Sequence, residues 1–325
     1  MPTTTHSRPI IVLLGPTAGG KTALSVSLAH ALPGGGECVS ADSMQVYRGM
    51  DIGTATPTSA EQEEVPHHLL DVVDPDQAWS VDDWLNAANT SIKDIRSRSR
   101  WPIVVGGTNL YVQALLFGLL DGPPPDEAVR AELNAIDTDA LRAELKQRDP
   151  AAADRIHRND RRRTIRAIEY ARGTGRPLSE AQVQWTDACR SDVVIIGLDW
   201  PTETINGRIN ARVSAMIADG LLEEVRALHA SSRLGEQAAA AVGYAQIIDS
   251  LEGRCTETEA IEQIKIRTRR FAKQQRTWLR RFRVLPRLTW IDPTQETPQT
   301  LVNKGIMASL AWAPQNPAEA PESIV

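Results

Sequence analysis

Gly15, Pro16, Thr17, Ala18, Gly19, Gly20, Lys21 and Thr22 spell G-x-x-x-x-G-K-T, the spacing of a polyphosphate-binding loop. Glycines let backbone N–H groups close on phosphate oxygens. A following helix N-terminus adds partial positive charge, Lys21 neutralises, and the Thr22 hydroxyl can hold a magnesium ion (Mg2+). The loop is of the nucleotide-binding, ATP-binding type. A second block, Asp42 to Ala55, opens with a carboxylate directly after a strand-like run. Beside a magnesium-polyphosphate site that carboxylate can act as a metal ligand, a general base or merely a helix cap. A third block, Val104-Val105-Gly106-Gly107-Thr108-Asn109-Leu110-Tyr111, sets a glycine turn and the Thr108 hydroxyl at another strand end. ATP-hydrolysing loops usually find an acid there to help hold magnesium. Gly-Gly-Thr stands in its place, so ATP hydrolysis is not the favoured use. Asp199 ends a later run with no water-orienting motif nearby and reads as a turn residue.

The elements that must position these residues alternate between strand and helix. Strand-like runs occur at Ile10 to Leu14, Glu37 to Ser40, Ile103 to Val105, Val193 to Leu198 and Leu288 to Ile291. The first is a continuous apolar run of the length expected of a buried parallel strand, and Ala23 to Leu32 reads as the helix after the loop. Val81 to Ile95 has apolar residues at Val81, Trp84, Leu85, Ala88, Ile92 and Ile95, a 3.6-residue period. Beyond Gly122-Pro123-Pro124-Pro125 no strand follows until Val193, and helical patterns run from Glu127 to Lys146 and from Arg161 to Arg172. Further helices are expected at Thr204 to Ala218 and Leu221 to Ala230, with Gly220 between them. Thr256-x-x-Glu259 is a capping box opening the longest helix, with Ile261, Ile264, Phe271, Trp278 and Phe282 as its apolar stripe. The expected fold class is α/β: a P-loop NTPase-like core with a parallel sheet and an inserted all-helical domain. The core is discontinuous, 1–122 and 191–311; the insertion is 123–190, and 312–325 reads as a disordered tail.

Charge is segregated along the chain. The net charge is −5, yet Lys265 to Arg287 carries ten Lys or Arg and no acid, and Arg155 to Arg176 carries +6. Setting that +16 aside leaves −21 on the rest. Two such basic segments are the electrostatic footprint of a protein that tracks a phosphate backbone. Cys38, Cys189 and Cys255 show no C-x-x-C spacing, which fits a reducing cytosol and argues against a zinc or disulfide frame. The N-terminal apolar run is too short for a signal peptide or a membrane span, so a cytoplasmic enzyme is the simplest reading. No long exposed apolar stripe stands out, and monomer is the default. His67 and His68 are adjacent and point apart in either regular structure, which favours packing and hydrogen bonding over a metal pair.

Together with Pro66-His67-His68-Leu69, Val242-Gly243-Tyr244 and Thr268 to Trp278, these blocks resemble the bacterial tRNA dimethylallyltransferases, in that family's order over roughly residues 10 to 285. The resemblance implies transfer of a dimethylallyl group from dimethylallyl diphosphate to N6 of adenosine 37, in the anticodon stem-loop of tRNA, with magnesium. It implies that Gly15 to Thr22 hold the diphosphate, that Asp42 is the general base, and that Thr108 lies beside the bond being broken. Arg226 looks like the family's diphosphate-contacting arginine; the residues alone suggest a surface arginine paired with Glu223. Asp42, Ser43, Met44 and Gln45 look like tRNA contacts, as do Arg162, Arg163, Thr164, Ile165 and Arg166, with Arg130 a weaker one. Lys273 and Arg276 join them on the basic helix. Gly19, Thr56 and Gln274 stand where the family usually has Ser, Lys and Arg; Arg48, Lys273 and Arg276 offer compensating charge. The rival enzyme is an adenylate isopentenyltransferase acting on free AMP, ADP or ATP, which would not need two basic segments. A small-molecule P-loop kinase would need ATP consumption, and a noncatalytic RNA-binding protein would leave Lys21, Thr22 and Asp42 unexplained.

Overall fold

The computed structural model describes residues 8–119, 122, 126–181, 189–285 and 287–312. Pro123 to Pro125 of the predicted break, and the predicted tail from 313 onward, lie outside them. The fold is α/β and P-loop NTPase-like, built on a six-stranded, all-parallel sheet. The strands are β1 (Ile10–Leu14), β2 (Gly36–Ser40), β3 (His67–His68), β4 (Trp101–Val105), β5 (Val193–Leu198) and β6 (Leu288–Ile291), in the order β3-β2-β4-β1-β5-β6. The uninterrupted apolar runs of β1 and β5 are buried throughout, as a strand covered on both faces requires. Edge strand β6 is only partly buried instead, with Thr289 exposed and Ile291 buried.

β1 lies between β4 and β5, so the chain leaves it in one direction through β2 and returns to it from both sides. In open parallel sheets the crevice at such a switch point, outside the carboxyl ends of the strands, is where ligands bind. The ends of β1, β2, β4 and β5 lead respectively into the phosphate loop, Asp42, Gly106-Gly107-Thr108 and Asp199-Trp200.

The chain divides into two compact units, one comprising residues 1–116 with 190–325 and the other 117–189. In the first, the helix Val81–Ser97 buries Trp84, Ala88, Ile92 and Ile95, the face its period predicts. The helix Glu257–Phe282 starts at the expected Thr256 capping box, but its buried face is Ala260, Ile264, Ala272, Gln275, Leu279 and Phe282. Phe271, assigned to the stripe, is 39% exposed. The second unit packs its helices around Leu133, Leu141, Leu145, Ile165, Ile168 and Tyr170. The single helix expected from Glu127 to Lys146 is two, Glu127–Ala135 and Thr138–Arg148. The division falls at Asp137, whose carboxylate caps the second by accepting the N–H groups of Asp139 and Ala140, each at 2.9 Å. The helix expected at Ala23 to Leu32 is Lys21–Ala31, beginning inside the loop itself.

Candidate active site

The phosphate loop is shaped by its own backbone. Gly19 N–H donates to the Pro16 carbonyl at 3.1 Å, and Ala18 and Gly20 take left-handed φ values of 59° and 79°. Helix Lys21–Ala31 has no side-chain cap and no acid in its first turn, which leaves its N–H groups and dipole for an anion. Lys21 folds back, Nζ donating to the carbonyls of Gly15 at 3.1 Å and Pro16 at 2.9 Å. Burial, then the neighbouring Arg212 charge, pulls its pKa down to about 8, against a smaller raising effect of Asp42.

Two arginines that the sequence reading passed over stand on this loop. Arg212 Nη1 reaches Thr17 Oγ1 at 3.4 Å, and Arg208 Nε donates to the Ala18 carbonyl at 2.8 Å. Burial pushes the Arg212 pKa down while Asp42 raises it, so both Lys21 and Arg212 feel the charge of Asp42. Arg208 lies over the Trp200 ring, 4.7 Å from its centroid, and the Trp200 indole donates to the Gly19 carbonyl at 2.9 Å. The signal was present in the helix Thr202–Ala218: two arginines four residues apart share a face in the helix that follows β5. Arg226 is found in the surface arrangement instead. It pairs with Glu223 at 3.6 Å, both side chains more than half exposed.

Asp42 and Thr108 are brought together. Asp42 Oδ1 accepts the Met44 N–H at 2.9 Å, a local turn that orients the carboxylate, and Oδ2 lies over Gly107. Thr108 Oγ1 accepts the Ser43 N–H at 2.9 Å and lies 3.2 Å from Ser43 Oγ. Backbone bonds Ala41 N–H to Val105 O (2.8 Å) and Thr108 N–H to Ala41 O (3.0 Å) lock the two strand ends together. Gly106 is required at this junction, because a Cβ there would sit 2.2 Å from the Ala41 carbonyl. Trp84 donates its indole N–H to the Ser40 carbonyl at 2.8 Å and stacks on Tyr111, which fixes the end of β2 from below.

The rest of the second block is held as a loop. Gln45 Nε2 donates to the carbonyls of Thr54 and Ala55 at 3.3 and 3.1 Å, and its Oε1 accepts from Ser40 Oγ at 2.8 Å. Met44 packs on the core cluster that contains Tyr47 and Tyr244. Glu224 gathers four donors: Asp51 and Ile52 N–H at Oε2 (2.9 and 2.8 Å), Gly53 N–H and the Tyr244 hydroxyl at Oε1 (3.2 and 2.5 Å). His67 Nδ1 meets the Val65 carbonyl and His68 Nε2 meets Glu37, each at 2.7 Å, so both histidines are engaged in hydrogen bonds. Burial drives the Cys38 thiol up to about 12, leaving it unreactive.

Of the basic residues in the helical unit, Arg162 is exposed, Arg163 pairs with Asp160 at 3.3 Å and Arg166 with Glu169 at 3.7 Å. Thr164 and Ile165 are buried on the inner face of the helix Arg161–Thr174, one bonded to the Asp160 carbonyl and the other in the unit's core. Arg130 makes a two-pronged ion pair with buried Glu169, at 2.8 and 2.9 Å. On the helix Glu257–Phe282, Lys273 is exposed and Arg276 donates to Thr202 Oγ1 at 2.8 Å. Gln274 is exposed, and Thr56 Oγ1 lies 2.8 Å from Thr54 Oγ1.

Among the described residues no group of three or more His, Cys, Asp or Glu side chains could hold a metal ion. The Thr22 hydroxyl beside a phosphate loop suits magnesium, which keeps most of its water and is held through substrate phosphates plus one or two protein oxygens. No helix of the described residues is long and apolar enough to cross a membrane.

A model of the IPP transferase family matches residues 45–282. A tRNA dimethylallyltransferase of Geobacillus thermodenitrificans is 44% identical over 290 residues, covering 88% of this chain and 90% of that protein. One from Shouchella clausii is 46% identical over 277 residues, 84% of this chain and 88% of the relative. Among solved structures, the tRNA isopentenylpyrophosphate transferase of Bacillus halodurans superposes with a TM-score of 0.67 at 38% identity, over 93% of this chain and 97% of that one. A eukaryotic dimethylallyltransferase acting on tRNA gives 0.74 at 29% identity, over 84% of this chain and 70% of that one.

Proposed function

The chain belongs to the IPP transferase family, and from that premise we infer that it transfers the dimethylallyl group of dimethylallyl diphosphate to N6 of adenosine 37 in the anticodon stem-loop of tRNA, releasing diphosphate. The observation that carries this reading is one site holding both a cationic phosphate loop and a carboxylate: Lys21 and Arg212 at the loop, with Asp42 close enough to raise the pKa of each. Kinases also set a base beside bound phosphate; the family match and the two basic segments, which a small-molecule acceptor would not need, favour prenyl transfer to tRNA.

The adenine amine is a weak nucleophile because its lone pair is delocalised into the ring. The donor must therefore become strongly electrophilic, and the amine must lose a proton. As the allylic C–O bond breaks, negative charge collects on the diphosphate, where loop N–H groups, Lys21 and Arg212 stabilise it. Thr22 would help hold magnesium at the diphosphate, and the ion would supply further positive charge there when bound. Asp42 accepts the N6 proton as the N–C bond forms, and a general base of this kind contributes about 10²- to 10⁴-fold in rate. Thr108, bonded to Ser43, holds the Asp42 turn against the strand end. The acceptor base must leave its stack, which an anticodon loop permits more readily than a duplex. The basic segments, Arg162, Arg163 and Arg166 in one unit and Lys273 and Arg276 in the other, supply phosphate-backbone contacts. The protein acts in the cytoplasm as a monomer in this reading.

Purified protein incubated with magnesium, dimethylallyl diphosphate and either unmodified tRNA or AMP, followed by nucleoside mass spectrometry, tests it. A prenyl mass gain on tRNA adenosine alone is expected. Gain on AMP alone would replace the acceptor, and no gain on either would remove the reading.

A further inference from the structure

Gln275 is buried in the middle of the basic helix, and both ends of its carboxamide are committed. Oε1 accepts the Thr17 N–H at 2.7 Å, and Nε2 donates to the Gly107 carbonyl at 2.9 Å. Its own backbone carbonyl accepts Asn109 Nδ2 at 3.4 Å. One side chain therefore ties the helix Glu257–Phe282 to the phosphate loop and to the turn after β4. An apolar residue would fill the same space; a carboxamide is needed only where a donor and an acceptor must both be met. Gly107 is fitted to it, since a Cβ there would lie 2.7 Å from Nε2.

The partners of Gln275 make this more than packing. Thr17 N–H belongs to the loop that grips diphosphate, and Thr17 Oγ1 receives Arg212. The Gly107 turn lies beneath Asp42 Oδ2 and leads into Thr108. Lys273 and Arg276 flank Gln275 on the helix assigned to tRNA. Any shift of that helix on gripping RNA moves the hydrogen-bond partner of part-buried Thr17 and of buried Gly107 at once, and leaving the buried Gly107 carbonyl unmet is unfavourable.

We propose that Gln275 is a positioning residue that couples the two substrates. Resting on the function inferred above, tRNA seated on the basic helix sets, through Gln275, the loop conformation that binds diphosphate. By thermodynamic reciprocity diphosphate tightens tRNA by the same factor. Gln275 touches neither substrate and acts through Thr17 and Gly107.

The test is calorimetric titration of inorganic diphosphate with magnesium into full-length protein, with and without saturating unmodified tRNA. Wild type, Gln275→Ala and Gln275→Glu are compared; the glutamate keeps an acceptor for Thr17 but sets an oxygen against the Gly107 carbonyl. Wild type should bind diphosphate roughly 5- to 150-fold tighter with tRNA present, the usual range of coupling between sites. In Gln275→Ala the tRNA-dependent gain should vanish while affinity for tRNA alone stays close to wild type, and Gln275→Glu should fall between. Should the alanine variant fail to fold, the reduced coupling of the glutamate variant carries the test. Equal coupling in wild type and variants overturns the inference, as does absence of coupling in a wild type that binds both ligands. A wild type that binds no tRNA overturns the proposed function itself, and shows this before any variant is made.

Discussion

Arg212 meets Thr17 across the phosphate loop, Nη1 to Oγ1 at 3.4 Å, from a helix that begins 180 residues after the loop ends. That contact puts Arg212 on the loop proposed to hold the leaving group. Arg212→Ala should lower kcat by about 10²- to 10³-fold, the usual cost of losing one donor to developing negative charge. Arg226→Ala, removing an exposed partner of Glu223, should leave steady-state kinetics with dimethylallyl diphosphate and tRNA near wild type. The reverse ranking would return the diphosphate role to Arg226.

Asp42→Asn isolates proton transfer from geometry. The amide oxygen still accepts the Met44 N–H, so the turn persists, but no group remains to take the N6 proton. Single-turnover rates should fall by about 10²- to 10⁴-fold, with tRNA affinity unchanged in filter binding. A parallel loss of affinity would make Asp42 a tRNA contact first.

The Lys21 pKa of about 8 has a measurable sign. The protonated amine binds diphosphate, so in the free enzyme donor affinity should weaken as pH rises through about 8, and Lys21→Met should flatten that profile. Stability moves the other way. Because the folded amine holds its proton less tightly than the unfolded one, raising pH from about 8 toward 10.5 removes the penalty of burying the charge and should increase resistance to urea. A wild-type donor affinity flat across this range would disprove the protonation dependence.

Tyr244→Phe deletes one of the four donors on Glu224 and leaves the ring in place. Loss of a hydrogen bond to a charged acceptor should reduce unfolding free energy by about 1.5–3 kcal/mol, read from urea denaturation. Glu224→Ala should cost more, since it strands the N–H groups of Asp51, Ile52 and Gly53 together. Equal stability of the two variants would mean that water replaces the carboxylate freely.

Neutralising Arg162, Arg163 and Arg166 should weaken tRNA binding and lower the slope of log affinity against log salt by roughly one per lost phosphate contact. Thr164→Val and Ile165→Ala should instead lower melting temperature with the salt slope unchanged, because both side chains lie inside the helical unit. A slope indifferent to all three arginines moves the footprint elsewhere.

Much of this was legible because it is local. The loop spacing, the apolar runs of β1 and β5, the period of the helix Val81–Ser97 and the Thr256 capping box each rest on residues close in sequence. The partners of the loop were not. Arg212, Trp200 and Gln275 join it across 195, 181 and 258 residues, and no short-range pattern reports such pairings. Gln275 was further hidden by its polarity, since a glutamine in a basic helix reads as solvent-facing. Phe271 failed for the opposite reason: an apolar residue one position off the buried face was counted as core.

The placement of β1 between β4 and β5 also sets a timetable. During synthesis the strand that carries the phosphate loop emerges first, but its partners follow only at Trp101–Val105 and Val193–Leu198. One flank of the loop strand therefore stays unpaired until the whole segment 117–189 has left the ribosome, and Arg212 and Gln275 arrive later still. The segment's entry and exit are brought together by a backbone bond, Arg190 N–H to the Leu116 carbonyl at 2.8 Å. A nascent chain stalled anywhere before residue 193 thus exposes an apolar strand edge, the feature that recruits chaperones and promotes aggregation. Slow translation across the helical segment prolongs that interval, whereas early folding of that segment would shorten the search for β5 by holding its own ends close.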